Sequence, residues 1–148
     1  MALDPRDAYI APGHDEAPAP PRPKRKIGDK MPDGTVYAGI SPDTNKPMYA
    51  PPADAPFTCT FNEARLYAAA TPAHGHHDWR VPTKGELNVL FNNRAAIGGF
   101  NETGSYPAGW YWSSSPTSPQ RAVGECFRDG RQYDTSHKGN LSSVRLVR

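Results

Sequence analysis

The sequence predicts an α+β fold, with two helices packed on a twisted antiparallel sheet and irregular loops between. Three observations carry this. Two capping boxes, Thr60-Phe61-Asn62-Glu63 and Thr83-Lys84-Gly85-Glu86, each open an apolar run at helical spacing. After residue 110 the pattern changes to short runs of β-branched, aromatic and small residues separated by turn signals. The 148 residues also hold 17 prolines and 13 glycines, which favours short elements and many turns over a helical bundle.

The elements follow in order. Residues 1–26 carry six prolines and almost no large apolar side chains, so they read as an extended, solvated tail. Arg22, Lys24, Arg25 and Lys26 close it as a basic knot, more simply a solvated charge run than a contact for an acidic partner. The folded domain is expected over 27–148. Asp33-Gly34 is a turn signal, Thr35 to Ile40 has strand character, and Met48-Tyr49-Ala50 returns, which together predict a hairpin. The first helix should run from Asn62 to Ala70, stopped by Pro72. Leu87, Leu90, Phe91 and Ala95 mark the second, which should end before Gly98-Gly99. Strands are expected at Tyr111 to Ser115, Arg121 to Phe127, Arg131 to Thr135 and Ser143 to Val147, with Asp129-Gly130 as a hairpin turn.

Composition narrows the function. Lys and Arg total 17 against 15 Asp and Glu, a net charge of +2, which makes no general case for nucleic acid or membrane surfaces. Met1 to Lys26 has no apolar stretch, so no signal peptide and no membrane span is expected there. That fits a protein that is cytoplasmic, phage-associated or exported without a signal peptide. Cys59 and Cys126 lie in no metal-binding spacing and read as two buried free thiols, with a disulfide as the alternative.

The constellations that could carry chemistry each have a simpler reading. His74, His76, His77 and Asp78 are the right ligand types for a metal, but their spacing fits no closed zinc site. The preferred reading is structural, with Trp79 in the core and Asp78 and Arg80 bonded to backbone or to each other. Ser113-Ser114-Ser115 lacks the strand-turn-helix setting of a nucleophile elbow. Among Glu86, Glu125, Asp129 and Asp134 no pair suited to glycoside hydrolysis stands out, since Glu86 is a cap and Asp129 a turn residue. No phosphate loop or dinucleotide fingerprint occurs, and no cofactor is expected. Strand alternation sends Trp110 and Trp112 to one face and Tyr111 to the other. Trp112 is expected in the core; Tyr111 is open to either a core or a contact role.

The polar C-terminal region is the best candidate for a ligand surface. Tyr, Asp, Ser, His and Asn adapt to many ligands at low entropic cost. They dominate Arg131 to Asn140. The candidate contact set is Tyr111, Arg121, Arg128, Arg131, Gln132, Tyr133, Asp134, Ser136, His137 and Asn140. A solvated hairpin and loop is the plain alternative.

His77-Asp78-Trp79-Arg80-Val81-Pro82-Thr83 with Glu86-Leu87 comes first. Gly109-Trp110-Tyr111-Trp112-Ser113-Ser114-Ser115, Phe127-Arg128-Asp129-Gly130 and Ser143-Val144-Arg145-Leu146-Val147-Arg148 follow. In this order, over about residues 28–148, they resemble the Lcl C-terminal domain family, a domain of unknown function. The resemblance implies a C-type-lectin-like fold and a binding module rather than an enzyme. Family members often serve on cell surfaces or as adhesive domains. Some are similar to the variable proteins of diversity-generating retroelements, which display diversified contact residues on a fixed scaffold. That implies variable positions among the polar residues from Arg121 to Leu141, with Arg145, Val147 and Arg148 in the fixed frame. The glutamate-proline-asparagine and tryptophan-asparagine-aspartate calcium signatures of sugar-binding C-type lectins are missing from the chain. A protein ligand is therefore expected before a glycan, and without calcium. Leu146 stands where similar sequences often carry cysteine, which removes one possible disulfide. The second hypothesis is a structural component of a surface or phage particle, or a homo-oligomer, tethered through the proline-rich N-terminus.

Overall fold

The computed structural model describes residues 24–148. The tail expected over 1–26 lies outside them except for its last three residues. Of these, Arg25 donates to the Tyr49 hydroxyl at 2.6 Å.

Among the described residues the order is β1 (Val36–Ile40), β2 (Pro47–Ala50), α1 (Phe61–Ala70), α2 (Lys84–Asn92), α3 (Arg94–Ile97), β3 (Trp110–Pro116), β4 (Arg121–Cys126) and β5 (Gln132–His137). β1 and β2 form an antiparallel hairpin, and β3-β4-β5 form an antiparallel three-stranded sheet. The architecture is α+β, as the periodicity predicts.

Both capping boxes form. The Thr60 hydroxyl accepts from the Glu63 N–H while the Glu63 carboxylate accepts from the Thr60 N–H, and Thr83 and Glu86 do the same. Each box satisfies two otherwise orphaned helix donors, and an N-cap is worth about 1 kcal/mol. The second helix is shorter than expected. It breaks at Asn93, whose side-chain amide donates to the Val89 carbonyl at 2.9 Å and competes with the helical ladder. α3 is one further turn, closed by Gly98.

In this sheet β3 and β4 are buried on both faces. On one side Tyr111 and Phe127 pack with Leu87, Leu90 and Phe91 of α2 and with Val36 and Met48 of the hairpin. On the other, Trp112 and Ala122 pack with Phe61 and Ala64 of α1, with Trp79 and with Val144. Trp112 meets Phe61 edge to face at 5.7 Å, and its indole N–H donates to the Cys59 carbonyl at 2.8 Å. Cys59 and Cys126 are buried free thiols. At the β4–β5 turn, Gly130 has φ +75°, and a Cβ there would lie 2.3 Å from the Phe91 ring. Only glycine lets that turn close over α2.

The segment expected as a fourth strand, Ser143 to Val147, is extended but pairs only through isolated bridges. Ser142 pairs with Cys59, Ser143 with Tyr111 and Val147 with Arg80. It cannot run as a ladder because its neighbours change along its length: β3 at one end, then Arg80, then Tyr49 of the hairpin, which exchanges both backbone bonds with Arg148.

That segment carries Arg145, fully buried. Its Nε donates to the Asp54 carboxylate at 2.9 Å and its Nη1 to the Gly98 carbonyl at 3.0 Å. Its guanidinium carbon sits 4.0 Å from the Phe100 ring centroid. Asp54 also accepts from the Tyr111 hydroxyl at 2.5 Å. Burial raises the Asp54 carboxyl above its ordinary range, against the opposing pull of Arg145 and Tyr111. Removing one partner of such a pair leaves an uncompensated buried group, at a cost of about 3–5 kcal/mol. Arg145→Met should therefore lower the urea-derived unfolding free energy by about that amount, and adding Asp54→Leu should recover part of it. A single-variant loss below about 1 kcal/mol would contradict this role for the pair.

Candidate functional site

β3 begins with three aromatics whose fates differ. Tyr111 and Trp112 point to opposite faces and are both buried, because helices cover both sides of the strand. Trp110, one residue earlier, lies where that cover ends and remains half-buried. Its ring packs on Tyr133 of β5, centroids 4.9 Å apart and tilted by 49°. Tyr106, Trp110, Tyr133, Ser136, Asn140 and Ser142 line an open groove of about 280 Å³.

Each lining group has a defined capacity. The Trp110 indole N–H is committed to the Gly104 carbonyl at 3.0 Å, so this residue offers a ligand its ring face alone. The Tyr106 hydroxyl accepts from the Leu141 N–H at 2.9 Å and keeps its own proton to donate. Tyr106 is 59% exposed and Leu141 42%, a large apolar area left in water beside the groove. Asn140 brings an amide with both donors and an acceptor, and Ser136 and Ser142 bring hydroxyls. Rings that stack and short polar groups that hydrogen-bond are the equipment of a recognition site.

Three of the ten expected contact residues, Tyr133, Ser136 and Asn140, meet in this groove. Arg128, Arg131, Asp134 and His137 are exposed around the β4–β5 hairpin. The Arg131 backbone N–H donates to the Asp129 carboxylate at 3.0 Å, and the His137 ring accepts from the Gly139 N–H at 3.0 Å. Arg121 is exposed and pairs in register with His137.

Two members of the set are corrected. Tyr111 is fully buried, its hydroxyl receiving the Asn101 N–H at 2.7 Å and donating to Asp54, so it belongs to the frame. Gln132 turns inward, donating to the Lys84 carbonyl at 2.7 Å and to Glu125 at 2.8 Å. Its amide ties β5 to the start of α2. Trp110, Tyr106 and Ser142 complete the groove and were missed. Strand alternation had grouped Trp110 with Trp112, and the end of the helical cover is not written in that alternation.

The histidine stretch has a clear role in packing. The His76 ring meets the Asp33 carboxylate at 2.7 Å, His74 meets the Asp33 carbonyl at 3.0 Å, and both rings lie edge-on to Trp79. Hydrogen bonds from Thr35 and His76 hold the Asp33 carboxyl well below the usual range. Among the described residues no group of three His, Cys, Asp or Glu side chains is placed to hold a metal. Asp78 and Arg80 do not pair with each other as expected. Asp78 takes a two-pronged bond from Arg148, and Arg80 gives one to Glu86. Glu86 also accepts from Ser41 at 2.6 Å. Burial pushes its carboxyl up, but the donors Arg80, Ser41 and the Thr83 N–H outweigh that and hold it at about 2. A second groove of about 340 Å³ lies near Arg25, Asp33, Tyr49 and Arg148, whose polar groups are already engaged with one another or with Asp78 and His76.

Behind the groove, on β4, Glu125 is fully buried. It accepts from Gln132 and, at 3.3 Å, from Asn88. Burial pushes its carboxyl up to about 7, against those two donors. The folded state thus favours the protonated form. The stabilisation is complete below the ordinary value of 4.5 and is lost as pH rises through 7. Between pH 5 and 8 the unfolding free energy should fall by about 2–3 kcal/mol from this group. Glu125→Gln should abolish most of that fall in urea titrations at the two pH values. An equal fall in both proteins would rule Glu125 out as its source.

No curated protein matches the chain. The family model described as the Lcl C-terminal domain matches residues 41–148, well over half of the sequence. The match takes in both capped helices, the aromatic start of β3, the β4–β5 hairpin and the terminal segment, and this chain belongs to the Lcl C-terminal domain family.

Proposed function

We propose that this protein is a non-enzymatic ligand-binding module. Its contact surface is the groove of Tyr106, Trp110, Tyr133, Ser136 and Asn140, with the exposed arginines of the β4–β5 hairpin beside it. The observation that carries the reading is the Trp110–Tyr133 pair, two large rings held in contact at the surface beside further exposed apolar side chains. Aromatic side chains present much contact area at little cost in conformational entropy, and Trp, Tyr and Arg dominate interface energetics. The rings are pre-positioned, since Trp110 is fixed through Gly104 and Tyr133 sits in the β4–β5 ladder.

The frame is C-type-lectin-like in this reading, and the ligand is a protein, or a glycan, held without calcium. The groove is lined by rings, hydroxyls and an amide, groups that suit recognition through shape and neutral hydrogen bonds. The family resemblance extends the proposal to diversification by a retroelement. The exposed positions Arg131, Tyr133, Asp134, His137 and Asn140 lie outside both buried clusters, so substitution there leaves the core intact.

The test is binding of the labelled full chain to a glycan array and to arrayed cell-surface proteins, with calcium and with a chelator. Binding should survive the chelator. Tyr133→Ala should weaken it at least tenfold, about 1.4 kcal/mol, and Asn140→Ala by less. Arg65→Ala, on the exposed side of α1, should leave it unchanged. Undiminished binding by the Tyr133→Ala, Asn140→Ala double variant would remove the groove from consideration.

A further inference from the structure

We propose that Glu125 is a proton-operated latch on the groove: while neutral it ties β5 to α2 and keeps the Tyr133 ring on Trp110, and on ionising it lets both go. This deepens the ligand-binding reading and rests on it, since it names what regulates that site.

Three observations carry the latch. The first is what surrounds the carboxyl. Glu125 is fully buried. From β5 the Gln132 amide donates to it at 2.8 Å, and from α2 the Asn88 amide donates at 3.3 Å. From β3, Tyr111 lies opposite it in register, with its hydroxyl committed to Asp54 and Asn101. The charged side chains of these elements are turned elsewhere. Glu86 meets Arg80 and Ser41, and Lys84, Arg131 and Asp134 are exposed. Among the described residues no cation is bonded to Glu125. Two amides suffice for a neutral carboxyl. An ionised one has more lone pairs than they can fill, and its charge calls for water.

The second is what the Gln132 amide holds. Its nitrogen donates to the Lys84 carbonyl at 2.7 Å as well as to Glu125, so both of its hydrogens are used. Asn88 and Gln132 are half-buried and stand between Glu125 and solvent. A proton on Glu125 needs one acceptor. The Asn88 amide supplies it by turning its oxygen inward, and the Gln132 tie stays in place. A charge on Glu125 draws water in where Gln132 stands, which displaces that amide from both of its partners.

The third is position. Tyr133 follows Gln132 directly and packs on Trp110, centroids 4.9 Å apart. The β4–β5 ladder is interrupted. Glu125 with Gln132 and Gly124 with Tyr133 pair on one side of an irregularity, Ala122 with Ser136 and Arg121 with His137 on the other. The start of β5 is thus a short piece that can move without the rest of the strand. Burial pushes the Glu125 carboxyl up to about 7. The latch is therefore closed in mildly acidic solution and opens as pH rises through neutrality.

The experiment is fluorine NMR of the folded full chain grown with 5-fluorotryptophan, titrated from about pH 5.5 to about pH 8.5 across the range in which Glu125 ionises. Trp110→Phe assigns the Trp110 resonance. That resonance should move through one titration centred near pH 7. In Glu125→Gln it should keep its acid position throughout. In Gln132→Ala, which cuts the tie and leaves Glu125, it should take its alkaline position even at the acid end. In Tyr133→Ala the shift should shrink at least threefold, because it comes from the neighbouring ring. Tyr133 lies outside both buried clusters, so that variant keeps the core. On the glycan and protein arrays, retention of the labelled chain should fall at least fivefold between pH 6 and pH 8, and Glu125→Gln should remove that dependence. A Trp110 resonance that does not titrate would overturn the latch. So would one that titrates equally in Glu125→Gln, which would give the effect to another group such as His137. A shift undiminished in Tyr133→Ala would overturn it too, as a direct effect of charge with no movement of the ring. If Tyr133→Ala still weakens binding on the arrays in those cases, the ligand-binding reading stands and the latch alone falls. Arrays that hold nothing beside a titrating Trp110 would leave the latch as a movement of the fold and overturn the ligand-binding reading.

Discussion

The fold turns on an ion pair between the fully buried Arg145 and the largely buried Asp54. It joins four stretches of chain: the segment after β2, the loop after α3, the start of β3 and the C-terminal run. Of these only β3 belongs to a sheet ladder. The hairpin and the three-stranded sheet are separate, and the terminal run contributes only isolated bridges. A guanidinium can serve as the joint because its donors point in several fixed directions. Even so, the fit is incomplete. Among the described residues Arg145 Nη2 is buried without a hydrogen-bond partner, and a Cβ at Gly99, where φ is +82°, would come within 2.8 Å of it. Packing against Phe100 compensates in part, since a cation over a ring face is attracted electrostatically. Glycine at position 99 leaves the space the guanidinium needs.

A second joint works at the other end of the terminal run. Arg148 grips Asp78, Val147 pairs with Arg80, and Arg80 reaches Glu86, the residue that also caps α2. Glu86 therefore serves the helix start, the Arg80 loop and Ser41 after β1 at once. Full burial of its side chain raises the cost of leaving any of those donors out, because an unpaired buried carboxylate is expensive. The two joints together clamp the C-terminal run against β3, β2 and the Arg80 loop, and hold the sheet still beneath the groove.

Much of this was legible in the sequence, and the reasons are local. Thr60 with Glu63 and Thr83 with Glu86 are spaced so that side chain and backbone satisfy each other within one turn, which no distant contact needs to decide. Asp129-Gly130 fixed a turn for the same reason. Trp79, Trp112 and Phe127 are large apolar residues inside periodic runs, and all three are core. What failed was every inference that depended on a partner remote in sequence. Asp78 and Arg80 are two residues apart, yet Asp78 is bonded to Arg148, 70 residues on, and Arg80 to Glu86 at the start of α2. Tyr111 carries a hydroxyl that could have met solvent, and it lies at the centre because Asp54, 57 residues earlier, accepts its hydrogen bond. Gln132 sits in a polar run, and a buried glutamate on the neighbouring strand draws its amide inward. Residue type marked these side chains as able to bond, and only the topology chose the bond.

The groove follows from where the helical cover stops. β3 and β4 are sandwiched between two apolar clusters, so their side chains are constrained on both faces. β5 is the outer strand of the sheet, in the order β3-β4-β5, and the edge of β3 is taken up by Ser143, which exchanges backbone bonds with Trp110 and Trp112. An outer strand presents unpaired backbone and is normally kept polar to avoid unwanted pairing. The exposed residues of β5 and the following loop meet that need, and they also explain why a contact surface belongs there. Each exposed side chain can change without opening a cavity, while Trp110 and Glu125 beneath it keep the strand in register. The same physics that makes these positions free to vary makes them uninformative to periodicity: a residue that packs against nothing fixed leaves no pattern in the sequence beyond its polarity.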